Sequence, residues 1–572
     1  MGCCPIASTR VGSKSIRNSN PAEHRNPKQQ ERGRTDDLTD EERLELDNEC
    51  FPGNKFDEKL AKDAPLDEII SKYSKPPKIK SMKEIHNKND SFMIQPFEYD
   101  QNVPDTKPKP INYGSPYTDR CDGLHLVMPC SPTYMSVDHK PLWPHIYGLI
   151  AHLKEKCDKG DANYGDLKAT IDACSGVPRN MDSLNKLVTE LYSDNHFKQF
   201  MSTTLSKMCE LVLYLDKIWT QPPPLLPRKT NCSVTMSQRQ AACLLACSFF
   251  CLFQPRNHSK GYENYQHVNF DGLFEAGPST KIEKLRCILH YFHRITEKMP
   301  TGVITFQRFV LEKKDFPQWP SINEPLSDLY LTTDKRIEDI PNTLQVDFAN
   351  EYIGGGVLGG GCVQEEIRFV ICPEMLVSLL LCERMEKNEC IYLIGCERFS
   401  SYKGYANTFQ FDSDYRDQTP KDHWGRKWCH LVAMDAVYFN DPPIQYHPKE
   451  IERELLKAYT SFLPQSADED SYFAIATGNW GCGAFNGDRQ LKAIIQLMAA
   501  SAARRPIIYA AFGDKKLVAS FAYIYEELKT HQVKVADLFY MLREYNGQRK
   551  RPSVFKYLLE RMKSIEIETT NF

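Results

Sequence analysis

Six glycines fall within the eight residues from Gly354 to Gly361, and no other stretch restricts so tightly what this chain can fold into. Glycine reaches left-handed and mirror-β backbone freely, but it loses more conformational entropy on folding than any other residue and packs no side chain. A cluster this dense needs compensation. The usual one is a loop whose N–H groups close around an anion such as phosphate. Ahead of the loop, Leu344, Val346 and Phe348 alternate with Gln345, Asp347 and Ala349 in the manner of a strand. After it come Gln364, Glu365 and Glu366, set among the apolar residues Val363, Ile367, Phe369 and Val370. Burial in such company disfavours the charged form of a carboxyl and raises its pKa. A raised carboxyl pKa is what a general acid needs near neutral pH. Consecutive side chains do not share one direction on a strand or a helix, so the two glutamates are expected to differ in role.

A second glycine-rich stretch, Thr477-Gly-Asn-Trp-Gly-Cys-Gly-Ala-Phe-Asn-Gly-Asp488, follows a predicted strand over 472–477 and opens into a predicted helix over 489–503. Strand, glycine loop and helix in that order aim backbone donors and a positive dipole end at an anion. Two such loops suggest a ligand with two phosphates. Tyr402, Tyr405 and Phe512 stand near predicted strand ends, where they can stack on a base or wall a ribose. The rival reading is a dinucleotide-dependent oxidoreductase, since Gly354, Gly356 and Gly359 also fit G-x-G-x-x-G, with Glu374 about where a ribose-binding acid belongs. That fingerprint requires a helix to begin within the glycines, whereas here five residues, the paired glutamates among them, are expected to precede one. The chain has no G-x-x-x-x-G-K-[ST], and no H-E-x-x-H or C-x-x-C arrangement points to zinc, so no metal or cofactor is expected. Cys243, Cys247 and Cys251 share one helical face without further ligands at matching spacing, which reads as core packing.

At 572 residues the chain exceeds one ordinary domain. A net charge of −3 gives no basic field, which argues against nucleic acid as a direct partner. The 20 cysteines are scattered through apolar runs and read as reduced thiols of an intracellular protein, with nucleus and cytoplasm both open. The longest apolar run, 241–253, is too short to span a bilayer, so no transmembrane segment is expected. Gly2, Cys3 and Cys4 invite acylation, but Ile6 stands where the acylation pattern wants Ser or Thr. Residues 1–110 are polar and poor in aromatics, and are expected to be mostly disordered, with a basic patch at 75–83. Residues 111–300 carry helical periodicity and form an expected helical accessory domain. From 301 to 572 strands (302–309, 344–349, 391–396, 431–439, 472–477, 506–512) are interleaved with helices (373–385, 448–462, 489–503, 516–528, 535–545, 554–562). That interleaving predicts an α/β layered domain with a mixed sheet.

The run Gly354-Gly-Gly…Gln364-Glu-Glu366 resembles the glycine-rich catalytic signature of the poly(ADP-ribose) glycohydrolases. Val346-Asp-Phe-Ala-Asn350, Gly404-Tyr405, Thr477 to Phe485, Met128-Pro-Cys130, Thr235-Met-Ser-Gln238 and Pro300-Thr-Gly302 resemble further family motifs, in order and in the animal-type manner. The resemblance implies a macrodomain-like mixed sheet flanked by helices, behind an N-terminal helical accessory domain. It also implies hydrolysis of ribose–ribose glycosidic bonds in poly(ADP-ribose), with the polymer and poly(ADP-ribosyl)ated proteins as partners. Position by position, Glu366 matches the general acid/base, Glu365 its partner carboxylate and Asp347 a supporting acid. Asn350 and Gln364 match ribose-side contacts, and Ile337 and Glu338 the adenine pocket. Tyr405 and Phe512 match aromatics around the ADP-ribose, and Asn479, Trp480, Gly481, Cys482, Gly483 and Ala484 the diphosphate loop. Asn486 replaces a glycine common in the family, a change that left-handed backbone tolerates. A non-catalytic reader of ADP-ribose would need the phosphate loops but not the paired acids.

Overall fold

The computed structural model describes residues 79–136, 138–254, 264–465, 473–546 and 551–570. Among them, nine strands form one sheet in the order β1-β2-β3-β6-β9-β5-β10-β11-β4. These are β1 Asp90–Phe92, β2 Cys232–Ser237, β3 Val303–Val310, β4 Leu329–Thr332, β5 Leu344–Ala349, β6 Glu389–Ile394, β9 His430–Asp435, β10 Ile475–Gly478 and β11 Ile507–Ala510. β7 Ser400–Lys403 and β8 Gln410–Asp414 make a separate antiparallel pair. Strands β9, β5, β10, β11 and β4 run parallel to one another. β3 and β6 are joined to β2 and β9 by antiparallel ladders, so the sheet is mixed as predicted.

Helices of eight residues or more among the described residues are α1 Trp143–Lys159, α2 Tyr164–Ser175, α3 Leu205–Leu213, α4 Gln238–Phe249, α5 Ser279–Glu297, α6 Gln364–Ile371, α7 Pro448–Phe462, α8 Arg489–Ala502, α9 Lys515–Thr530, α10 Val535–Tyr545 and α11 Val554–Thr570. They cover both faces of the sheet. On one face Ile304, Phe306, Leu393 and Leu431 pack with Leu244 of α4, Ile288 of α5 and Phe369 of α6. On the other, Val346, Tyr392, Val432 and Tyr509 pack with Leu455 of α7, Ile494 of α8 and Phe521 of α9. Covering both faces explains why β6, β10 and β11 are buried at every residue and read as continuous apolar runs. Ser237 caps α4: its Oγ accepts from the Gln240 N–H at 3.2 Å while Gln240 Oε1 accepts from the Ser237 N–H at 2.9 Å.

The structure departs from the sequence reading in three places. Residues 1–78 of the expected disordered region, including Gly2 to Cys4 and the start of the basic patch, lie outside the described residues. From 79 onward, however, the segment is packed. Met82 and Ile94 are buried with Val303 and Trp424, and β1 pairs with β2. A few apolar residues suffice there because the sheet edge supplies the surface they cover. β2 likewise places a strand inside the stretch read as helical, so both halves of the chain build one sheet. Finally, the helix expected over 373–385 is a 3₁₀ turn at Pro373–Val377 followed by one helical turn at Ser378–Leu381. The chain then turns extended at Cys382 to bridge Leu226.

Candidate active site

The parallel strands β9, β5, β10 and β11 end together at Asp435, Ala349, Gly478 and Ala510, and the loops beyond them enclose a cleft of about 370 Å³. Carboxyl ends of parallel strands are where open α/β sheets hold ligands. One wall is the second glycine loop, from Asn479 through Phe485, with Arg489 at the start of α8. The Tyr509 hydroxyl donates to Asn479 Oδ1 at 2.9 Å, and the Trp480 indole N–H donates to the Met434 carbonyl at 3.0 Å, which pins the loop base. Gly481 has φ +73°, and a Cβ there would sit 2.6 Å from the Ala436 Cβ, so the turn admits only glycine. The N–H groups of Gly481, Gly483 and Ala484 meet no acceptor among the described residues. Asn486 does adopt left-handed backbone, at φ +60°, and its Nδ2 donates to the Phe439 carbonyl at 3.1 Å.

The opposite wall holds Ile337, Glu338 and Tyr402. The Tyr402 hydroxyl donates to Glu338 Oε1 at 2.5 Å, and the Arg336 guanidinium lies 4.2 Å over the Tyr402 ring. At the mouth, the rings of Tyr405 and Phe512 approach to 4.8 Å. Phe512 is 60% exposed and holds φ +53°, an uncommon conformation for an aromatic residue.

Val363 and Gln364 close the end of the cleft. Gln364 Oε1 accepts from the Phe348 N–H at 2.8 Å and its Nε2 donates to the Val346 carbonyl at 3.1 Å, so this side chain continues the ladder of β5. Directly behind stand the carboxyls. Helix α6 begins at Gln364, which puts both glutamates in its first turn rather than ahead of it. There they complement the helix dipole. Glu365 accepts from the N–H groups of Gly354 at 2.6 Å and Asn350 at 2.9 Å. Glu366 accepts from those of Gly356 and of Val363, both at 2.9 Å. A Cβ added to Gly355 would lie 2.6 Å from Glu365 Oε2 and 2.7 Å from Glu366 Oε1, so the two carboxylates converge on one glycine. They grip different amides, and that is how adjacent side chains come to differ here.

Six of the eight amides of the first glycine loop are therefore not open to phosphate. Those of Gly354 and Gly356 go to the chain's own carboxylates, and those of Gly355, Val357, Gly359 and Gly361 close local turns. Asp347, fully buried on β5, has both carboxyl oxygens without a hydrogen-bond partner among the described residues. Burial raises its pKa to about 8, the Glu366 charge adds to the rise and Arg368 opposes it. Burial, followed by the charges of Asp347 and Glu366, also pushes Glu365 well above the carboxylate range, against the pull of its two amide donors.

Of the residues singled out from sequence, Ile337, Glu338, Gln364, Tyr405, Phe512 and 479–484 line the cleft. Asp347, Glu365 and Glu366 cluster behind its end. Asn350 does not reach the lining, because its Oδ1 accepts from the Tyr352 N–H at 3.0 Å. Arg336, Phe485 and Arg489 also line the cleft and were missed, although each adjoins a residue that was named. Glu374 is not a ribose ligand: it is fully buried and accepts from Gln238 Nε2 at 2.8 Å and the Glu397 N–H at 2.9 Å. No helix among the described residues is long and apolar enough to cross a membrane.

A mixed sheet with a cleft at the carboxyl ends of its parallel strands places the chain among α/β proteins that hold a ligand there. The family model for the poly(ADP-ribose) glycohydrolase macro domain fold matches residues 316–519, and that for the helical domain matches 192–308. Poly(ADP-ribose) glycohydrolase 1 of Arabidopsis thaliana is 36% identical over 403 residues, which cover 57% of this chain and 72% of that protein. Probable poly(ADP-ribose) glycohydrolase 2 of the same plant is 36% identical over 368 residues, covering 55% and 70%. Poly(ADP-ribose) glycohydrolase 1 of Caenorhabditis elegans is 36% identical over 323 residues, covering 54% and 40%. The chain belongs to the poly(ADP-ribose) glycohydrolase family.

Proposed function

We propose that this chain hydrolyses the ribose–ribose bonds of poly(ADP-ribose) with Glu366 as general acid/base. The observation that carries the reading is the seating of Glu365 and Glu366 together behind the cleft end, above a buried Asp347. The adenine lies against Ile337 and Glu338, the diphosphate takes the free amides of Gly481, Gly483 and Ala484, and Tyr405 and Phe512 flank the nucleotide. The terminal ribose then meets Gln364 and the loop edge that Glu365 and Asn350 hold. Burial keeps a proton in the carboxyl cluster near neutral pH, since Asp347 titrates at about 8. Glu366 passes a proton to the leaving ribose oxygen as the C–O bond breaks. Its carboxylate then takes a proton from the water that adds to the oxocarbenium-like carbon. Phosphate charge beside that carbon favours the cationic transition state.

Incubation with purified polymer tests this. Glu366→Gln is expected to lower ADP-ribose release by about 10²–10⁴-fold while ADP-ribose still binds. Unchanged release removes Glu366 from its role. The polymer and modified proteins carrying it are the partners we infer, in nucleus and/or cytoplasm and in the DNA damage response. Free thiols at all 17 described cysteines support a reducing compartment.

A further inference from the structure

The amides of Gly354 and Gly356 face Glu365 and Glu366, and the carbonyls of Gly355, Val357, Gly359 and Gly361, which receive no backbone N–H among the described residues, must find donors elsewhere, because buried C=O groups are rarely left unpaired. Those donors come from the helical domain. Lys284 on α5, fully buried, points its ammonium at the carbonyls of Val357 at 2.8 Å, Gly359 at 2.9 Å and Gly361 at 2.5 Å. An ammonium has three donors, so these three acceptors saturate it. Gln266 Nε2 takes two more, the carbonyls of Gly355 at 3.1 Å and Tyr352 at 3.3 Å. Lys284 forms no salt bridge within 4.0 Å among the described residues, although the Glu366 charge supports its own. A buried lysine without an ion pair is costly, and a neutral amide would satisfy carbonyls alone. A cation at this place does more: it lies across the loop from the carboxylates and holds five residues of glycine-rich backbone between two opposite charges.

We propose that Lys284, assisted by Gln266, is a positioning residue for the glycosidic reaction, fixing the 355–361 loop so that Glu366 presents its carboxyl to the ribose. It touches neither the substrate nor the cleft lining. Burial brings Lys284 down to about 8, which leaves it largely protonated near neutral pH. The inference rests on Glu366 being the acid, so the two are tested together.

Polymer hydrolysis and ADP-ribose binding are to be measured for the full chain, Glu366→Gln, Lys284→Met and Gln266→Leu. Lys284→Met is expected to lower kcat at least 30-fold with the ADP-ribose Kd within threefold. Gln266→Leu, at a half-buried site, is expected to lower kcat three- to tenfold with the same Kd. A residue that only supports folding would instead lose binding and turnover together. If both variants bind ADP-ribose and turn over like the unaltered chain while Glu366→Gln is inactive, the positioning role is overturned and the acid assignment stands. If Glu366→Gln keeps full release, the acid assignment fails first and takes this inference with it. Should Lys284→Met not fold, Gln266→Leu decides: loss of kcat at constant Kd supports the role, and unchanged kcat overturns it.

Discussion

The two glycine-rich loops look interchangeable in sequence, yet they face opposite ways in the chemistry. In the first, six of the eight amides from Gly354 to Gly361 are consumed within the chain, two of them by Glu365 and Glu366. In the second, the amides of Gly481, Gly483 and Ala484 keep no acceptor among the described residues and border the cleft. The difference lies in the residues just beyond the glycines. Two acids in the first turn of α6 reach back into their own loop. Behind the second loop, Asp488 instead caps α8 by accepting from the Leu491 N–H at 2.8 Å, leaving the loop amides alone. Glycine density reports backbone freedom only. The acceptors nearby decide whether a loop grips a ligand or a catalytic side chain.

Four measurements put this contrast to the test. The largest effect is expected for Gly355→Ala, where φ +48° and contacts at 2.6 and 2.7 Å to both carboxylates leave no room for a methyl. Turnover should fall at least 100-fold and stability by about 2–4 kcal/mol, with ADP-ribose affinity kept within a few-fold; denaturant unfolding and calorimetry report on each. Asn479→Ala acts on the other loop and should do the reverse. Losing the bonds to Tyr509 and Ala511 should weaken ADP-ribose binding roughly tenfold, with a smaller change in kcat. A kcat loss that exceeds the binding loss would mean that the two loops share one role.

The third measurement concerns pH. Asp347 titrates near 8 in the folded chain and at its ordinary acidic value unfolded, so the folded state holds a proton the unfolded chain releases. The stability this provides is fully present below pH ~4 and is lost as pH rises through about 8. Asp347→Asn cannot lose it. Relative to the unaltered chain the variant should gain about 4 kcal/mol between pH 5 and pH 9, as read by urea unfolding at each pH. A constant difference across that range would place no shifted carboxyl at 347. The smallest effect is expected at Gly483, where an added Cβ meets nothing within 4 Å. Gly483→Ala should change stability by no more than about 0.5 kcal/mol.

Much of the architecture was legible where the pattern is long and periodic. The predicted spans for β5, α7 and α10 match the observed ones, and α8 differs by a single residue at its end. β1, β2 and β4 were not legible: three to six residues carry too little periodicity, and pairing with a neighbour decides them. The carboxyl cluster and the second loop were readable from residue types, because acids in apolar company and a strand-loop-helix order have local causes. That the first loop spends its amides on those acids was not, since it depends on a fold-back that no spacing encodes. Lys284 gave one faint signal. It stands on the same stripe of α5 as the buried Ile288, Tyr291 and Ile295, where a cation has no business unless something inside receives it.

The antiparallel ladder between β3 and β6 runs over six residue pairs and joins a strand from the region matched as the helical domain, residues 192–308, to one from the region matched as the macro domain fold, residues 316–519. A polypeptide beginning at residue 316 would lack β3 and leave β6 as a naked edge, its hydrogen-bonding groups offered to any neighbouring chain. The two halves that family models treat separately are thus inseparable in manufacture: shortened from the front, this protein should be recovered as precipitate rather than as a smaller enzyme.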